Sequence, residues 1–148
     1  MPSRVDRPDD STLPISDGDW LLVKKRLNAG ENKRMIKRGS VQTADGWRMD
    51  SIEAGTAKVL AYLIDWSLKG LDGKVIPIRG QADQAVEAAL DAISPDTYTE
   101  ILRAIEAHEI AMDAERAAEK NGRDGEKGSP AISPSPSAAA GASSGSVN

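Results

Sequence analysis

The pattern of hydrophobic and polar positions is organised around one apolar stretch at residues 57–68. Its large side chains are Val59, Leu60, Tyr62, Leu63, Ile64 and Trp66. These positions cannot share one stripe of a helix, and a helix that is apolar on all sides belongs in a protein interior. The stretch therefore predicts a buried helix, beginning near Glu53, on which the other elements pack.

Short β elements are predicted on both sides of this helix. Residues 20–27 fit either a strand or a helix, and the turn pairs that bound them favour a strand. Asp45-Gly46 is a hairpin turn pair between two short apolar runs. After the helix, residues 71–74 form a turn, and residues 75–78 read as a short strand whose proline confines it to a sheet edge.

Three further helices are predicted. Residues 31–38 form a short, mostly charged helix that ends at Gly39. Residues 81–93 carry apolar side chains at helical spacing. Ser94 and Pro95 suit the N-cap and first position of a last helix, whose propensity extends to residue 120. Its inward stripe consists of Tyr98, Ile101, Leu102, Ile105, His108 and Met112.

The 148 residues therefore predict three segments. Residues 1–16, rich in proline and acids, are expected to be a disordered leader. Residues 17–120 are expected to form a small, mainly helical α+β domain with short β-hairpin elements. Residues 121–148 are expected to be a disordered Gly/Ser/Pro/Ala tail.

Enzymatic chemistry finds little support in the sequence. The absence of cysteine excludes disulfides, thiolate metal sites and thiol nucleophiles. His108 is the sole histidine, and a packed, hydrogen-bonded role is favoured over a functional one because it has no imidazole partner. Asp65 and Asp72 lack an accompanying nucleophile. We predict no catalytic residue, no cofactor and no metal.

No targeting or membrane segment is expected. The N-terminal residues are polar and rich in proline and aspartate, unlike a signal peptide. No run approaches the roughly 18 apolar residues of a membrane span. The sequence predicts a soluble, cytoplasmic protein without a membrane partner.

The net charge of −4 conceals an uneven distribution. Basic residues cluster early, whereas ten acids face three bases within residues 81–120. This polarity favours self-association. The basic cluster is the candidate partner-binding surface and consists of Lys24, Lys25, Arg26, Lys33, Arg34, Lys37 and Arg38. It fits a solvated face, a protein partner or nucleic acid, and the pI of about 5.0 disfavours the last.

Several stretches together resemble one known group of proteins. They are Asp19-Trp20 with the following Leu/Val/Lys run, residues 27–31, residues 60–68 with the Ile-Pro-Ile segment, residues 89–101, and residues 104–109. In order and pattern they resemble the tail assembly chaperones of long-tailed (siphovirus-type) bacteriophages, particularly those of actinobacterial phages.

The resemblance implies a non-enzymatic function in the host cytoplasm. Such chaperones bind the long, helical tape-measure protein and assist assembly of the tail-tube protein around it. Two alternatives remain open. One is a structural tail or neck protein of the virion, and the other is a small nucleic-acid-binding regulator that uses the basic cluster.

Overall fold

A computed structural model describes residues 9–132, with side chains described through residue 122. The strands are β1 (Asp10–Pro14), β2 (Trp20–Lys24), β3 (Ser40–Thr43), β4 (Gly46–Met49) and β5 (Leu63–Trp66). The helices are α1 (Ala29–Arg38), α2 (Ser51–Tyr62), α3 (Asp83–Ala92) and α4 (Pro95–Ile132). This composition confirms a small, mainly helical α+β fold.

The larger sheet has the order β1-β2-β5, and both pairings are antiparallel. β2 confirms the strand predicted within residues 20–27 but ends at Lys24, and the turn pair Ala29-Gly30 expected after it instead begins α1. β2 is central in the sheet and alternates between the core and the other face. Leu21 and Val23 are fully buried. They share one core with Trp66 of β5 and with Ile101 and Ile105 of α4.

The predicted disordered leader over residues 1–16 is wrong in its second half. Residues 10–14 form β1, which pairs along its whole length with β2, from Asp10 opposite Lys24 to Pro14 opposite Trp20. Leu13 packs against the core, and Pro14 is tolerated because β1 is an edge strand. Residues 1–8 of the predicted leader lie outside the described residues.

The predicted buried helix is right at its start and wrong at its end. α2 ends at Tyr62, and Leu63–Trp66 form β5. An apolar run buried on several sides fits a strand as well as a helix, and β2 offers an edge that needs a partner. Leu63 and Trp66 are buried within the core as a result.

The strand predicted at residues 75–78 is also wrong. The segment makes an isolated antiparallel bridge between Lys69 and Val75, and the Ile76 N–H donates to the Leu68 carbonyl at 2.9 Å. Pro77 has no N–H with which to continue a ladder. The segment instead closes the core, because Ile78 is buried and the Trp66 indole Nε1 donates to the Ile76 carbonyl at 2.9 Å.

The short helix α1, the hairpin and helix α3 confirm the sequence predictions. In α1 the Asn28 side chain and Glu31 form a reciprocal capping box, and Gly39 is the C-cap. The hairpin forms where predicted, but its two turn residues are Ala44 and Asp45, one position earlier than the predicted pair Asp45-Gly46. Gly46 is the first residue of β4, and its φ of 112° favours glycine.

Helix α4 starts as predicted but extends further. The Ser94 hydroxyl accepts a hydrogen bond from the Thr97 N–H at 3.2 Å, as expected of an N-cap. The helix runs to Ile132, so the tail predicted to begin at residue 121 is wrong over residues 121–132; residues 133–148 lie outside the described residues. By its internal contacts the chain separates into two compact units, with the boundary after Ile110. The described part of the second unit is the remainder of α4.

His108 has the structural role that the sequence favoured. It is buried on α4, and its Nε2 lies 3.1 Å from the Lys24 carbonyl and 3.0 Å from the Lys25 carbonyl. Because carbonyl oxygens can only accept, this nitrogen carries a proton. Its ring meets the ring of Tyr62 edge-on, with centroids 6.1 Å apart. His108 therefore fastens the end of β2 to α4.

None of the helices within residues 9–132 combines the length and the apolar character that a membrane crossing requires.

Replacing the buried imidazole tests this connection. We expect His108→Ala to lower the free energy of unfolding by about 2–4 kcal/mol, because it leaves a cavity and removes the N–H that lies within hydrogen-bond distance of two carbonyl groups. Urea denaturation would measure the change. Glu106→Ala, at an exposed position of the same helix, is the control and should change stability by less than about 0.5 kcal/mol. Equal losses in the two variants would contradict this role for His108.

Candidate protein-binding surface

The structure divides the seven predicted basic residues into distinct environments. Lys24 forms an ion pair with Glu31, and Arg38 Nη2 lies 2.5 Å from Glu87 Oε1. Lys25 and Arg26 are half-buried after the end of β2. These four side chains belong largely to the packing of the domain.

The other three basic residues are exposed together on α1. Lys33, Arg34 and Lys37 occupy positions i, i+1 and i+4 of this helix. Lys33 and Lys37 lie on the side away from the half-buried Glu31, whereas Arg34 neighbours Glu31 and contributes to lowering its pKa. We call Lys33, Arg34 and Lys37 the α1 basic face. It is the part of the predicted cluster that is available to a partner.

Glu31 determines which cations remain available. Its carboxylate accepts from the Asn28 N–H at 2.9 Å and pairs with Lys24. Burial raises the pKa of Glu31, but the Asn28 N–H, Lys24 and Arg34 together outweigh burial and hold the pKa below its ordinary value of 4.5. Glu31 is therefore ionised at neutral pH and engages Lys24.

Sequence reasoning missed the apolar part of the surface. Trp47 is 66% exposed, Met49 58% and Ile52 78%. Trp47 and Met49 project from the same face of β4, because strand side chains alternate. Ile36 of α1 is also about half exposed. We call Ile36, Trp47, Met49 and Ile52 the apolar ridge. The signal that could have found it in the sequence is the i, i+2 spacing of Trp47 and Met49 in the predicted hairpin. Among the described residues the hairpin forms a sheet of two strands, so a third strand does not cover this face.

Hydrogen bonds hold the root of the hairpin between α1 and α2. The Ser40 hydroxyl donates to the Ile36 carbonyl at 2.8 Å, and the Asp50 N–H donates to the Gly39 carbonyl at 3.0 Å. The Asp50 carboxylate caps α2 by accepting from the Ile52 N–H at 3.0 Å. The α1 basic face and the apolar ridge are therefore fixed to one junction.

Close backbone packing tightens the same junction. A Cβ atom on Gly39 would lie 2.9 Å from the Ala54 Cα and 3.3 Å from the Met49 sulfur. Only glycine permits this approach of α1 to α2. The exposed Met49 side chain is thus anchored at the end of α1.

A groove adjoins the ridge at Ile52. It lies among α2, the end of α3 and the start of α4, and has a volume of about 500 Å³. Leu90, Tyr98 and Leu102 contribute to its lining, and Gly55 leaves space because a Cβ there would lie 3.1 Å from Leu102. The hydroxyls of Thr56 and Tyr98 are 3.1 Å apart and hydrogen-bonded. We call this cavity the α2–α4 groove.

These features are more typical of a surface that binds another protein than of a catalytic site. Exposed apolar side chains that cluster beside charges are typical of protein interaction sites. Among the residues with described side chains, no group of three or more His, Asp or Glu is placed to hold a metal ion. The arrangement can bury apolar side chains of a partner and pair with its carboxylates.

The Glu31 network predicts a specific pH dependence of stability. A carboxyl whose pKa is depressed by folding stabilises the fold above its unfolded pKa, and this contribution is lost as pH falls through the folded pKa. We therefore expect the free energy of unfolding of Glu31→Gln to fall less steeply than that of the wild type between about pH 5 and pH 3. Chemical denaturation at several pH values would measure it. Glu53→Gln, which removes an exposed carboxylate from the first turn of α2, should retain the wild-type slope.

The chain matches no family model, and no match was found among curated proteins or solved structures.

Proposed function

We propose that this protein is a non-enzymatic phage tail assembly chaperone that binds the tape-measure protein and assists tail-tube assembly. The observation that carries the proposal is the apolar ridge beside the α1 basic face. The order and pattern of the sequence stretches described above support the same function.

The proposed mechanism is masking of apolar surface. A long helical protein that is not yet enclosed by its tube exposes apolar side chains and is prone to aggregate. Trp47, Met49 and Ile52 would cover part of that surface, while Lys33 and Lys37 would pair with flanking carboxylates. Exposed ion pairs contribute about 0–1 kcal/mol each, so the contact would be reversible. Reversibility is what a factor needs if it is to leave as the tube assembles.

A regulator that binds nucleic acid is the second candidate. Trp47 is an exposed aromatic side chain, and the cations of the α1 basic face are exposed on the helix that precedes its hairpin. Stacking on aromatics combined with phosphate contacts is how single strands are commonly bound. A mobility shift at low salt that weakens as salt rises would favour this candidate over the chaperone.

A structural tail or neck protein of the virion is the remaining alternative. The composition of purified phage particles separates it from a chaperone. A chaperone should be absent from mature particles, whereas stoichiometric recovery in them would overturn the proposal.

The apolar ridge can be tested by co-expression with a tape-measure fragment. We expect Trp47→Ser combined with Met49→Ser to reduce the retained fragment at least tenfold and to lower its soluble yield, because about 1.4 kcal/mol of lost binding is tenfold. Pull-down and gel quantification measure both effects. Leu71→Ser combined with Val75→Ser removes two other exposed apolar side chains and should bind normally. Unchanged retention in the Trp47/Met49 variant would refute the role of the ridge.

The α1 basic face has its own test in the same assay. Lys33→Glu with Lys37→Glu should reduce retention several-fold at low salt, and the difference from the wild type should shrink as salt increases. Lys69→Glu with Lys74→Glu is a control with the same charge change on the loop that follows β5. If both double variants lose binding equally, net charge and not this face determines the interaction.

A further inference from the structure

We infer that the α2–α4 groove and the apolar ridge together bind one amphipathic helix whose apolar side enters the groove and whose acidic residues face α1. This inference rests on the proposed function and specifies the chemistry of the partner segment. In this inference the apolar side chains of the partner helix insert into the groove, and the α1 basic face selects a helix that carries acidic residues.

The ridge and the groove share Ile52, and we call the two together the apolar path. Three residues before Ile52, Met49 meets the end of α1, where its sulfur would lie 3.3 Å from a Cβ on Gly39. The Ser40 hydroxyl donates to the Ile36 carbonyl, which places the backbone of that ridge residue at the same junction. An elongated apolar partner can therefore follow the path, whereas a compact ligand would occupy the groove alone.

The shape of the groove suits side chains that project from a helix. Its volume of about 500 Å³ lies within the roughly 300–1,000 Å³ of ligand pockets, and its lining includes the apolar Leu90, Ile93 and Leu102. The Thr56 and Tyr98 hydroxyls share one hydrogen bond at 3.1 Å, in which one donates and the other accepts. They make little demand for a polar ligand, so the groove favours the apolar anchors of a helix, spaced at i, i+3, i+4 and i+7.

Charge complementarity determines the rest of the partner. Lys33, Arg34 and Lys37 are exposed on α1, the helix that also carries Ile36 of the ridge. A second copy placed with this same face against the first would oppose like charges and is disfavoured. A helix with glutamate or aspartate beside its apolar stripe matches the cations. Asp91 lines the groove itself, so the segment entering there should not be acidic.

Labelled model peptides test the inference directly. The probe is a helical peptide of about 18 residues, about 27 Å long, with a leucine stripe flanked by glutamates at one end. A second peptide replaces those glutamates with lysines. Fluorescence anisotropy with the full-length protein measures the affinity of each. We expect the glutamate peptide to bind at least fivefold more tightly at low salt, with a smaller difference at high salt.

Groove variants locate the binding site. Thr99 is exposed and lines the groove, so Thr99→Trp should fill it without disturbing the core and should weaken the glutamate peptide at least tenfold. Ile52→Ser should weaken it about threefold or more through lost apolar contact. Thr12→Trp, the same change at an exposed position of β1, is the matched control and should leave affinity unchanged.

Several outcomes would overturn the inference. They are equal affinity in Thr99→Trp and Thr12→Trp, equal binding of the two peptides, a dimer of the protein alone that Thr99→Trp abolishes, or oligo(dT) that competes for the groove. Tape-measure retention unaffected by Thr99→Trp would refute the groove while leaving the proposed function intact. Conversely, groove-dependent peptide binding without retention of any tape-measure fragment would refute the proposed function and leave the inference standing.

Discussion

The structure depends on the burial of β2 between two antiparallel partners. Leu21 and Val23 are fully enclosed there, and the same core contains Trp66 of β5 and Ile101 of α4. Two pairings satisfy the backbone of β2 on both edges, which a buried strand requires. His108 then ties the end of the strand to α4 by donating to the carbonyl oxygens of Lys24 and Lys25.

Within residues 9–132, this frame leaves the small hairpin as a two-stranded sheet. A two-stranded hairpin is marginally stable by itself, so β3 and β4 depend on the hydrogen bonds and close packing at Gly39 and Asp50. The outer face of β4 stays uncovered, with Trp47 and Met49 in solvent. Large apolar side chains that remain exposed do not stabilise the fold. Their exposure is instead typical of a surface that binds a partner. The Ile52 side chain extends that exposure to the α2–α4 groove.

The sequence predicted those elements whose local signals agree with their packing. Gly39 ends α1 and the Ser94 cap starts α4, as predicted, because capping is a property of neighbouring residues. The Asn28 cap of α1 was not predicted, and the helix begins two residues earlier than expected. Local sequence signals did not predict the segments whose conformation depends on pairing with a strand distant in the sequence. Leu63–Trp66 became a strand and Asp10–Pro14 an ordered edge because β2 supplied backbone partners to both. The basic cluster was predicted as a whole, but the contacts of Lys24 with Glu31 and of Arg38 with Glu87 are visible only in three dimensions.

The functional account requires a rigid frame that presents one apolar and basic surface to a helical partner. Hydrogen–deuterium exchange of the protein, alone and in complex with a tape-measure fragment, tests this most directly. The account predicts that the partner slows exchange in β4 and the first turns of α2 and leaves β1 unchanged. Protection confined to β1 or to α4 beyond residue 110, with β4 unaffected, would contradict it.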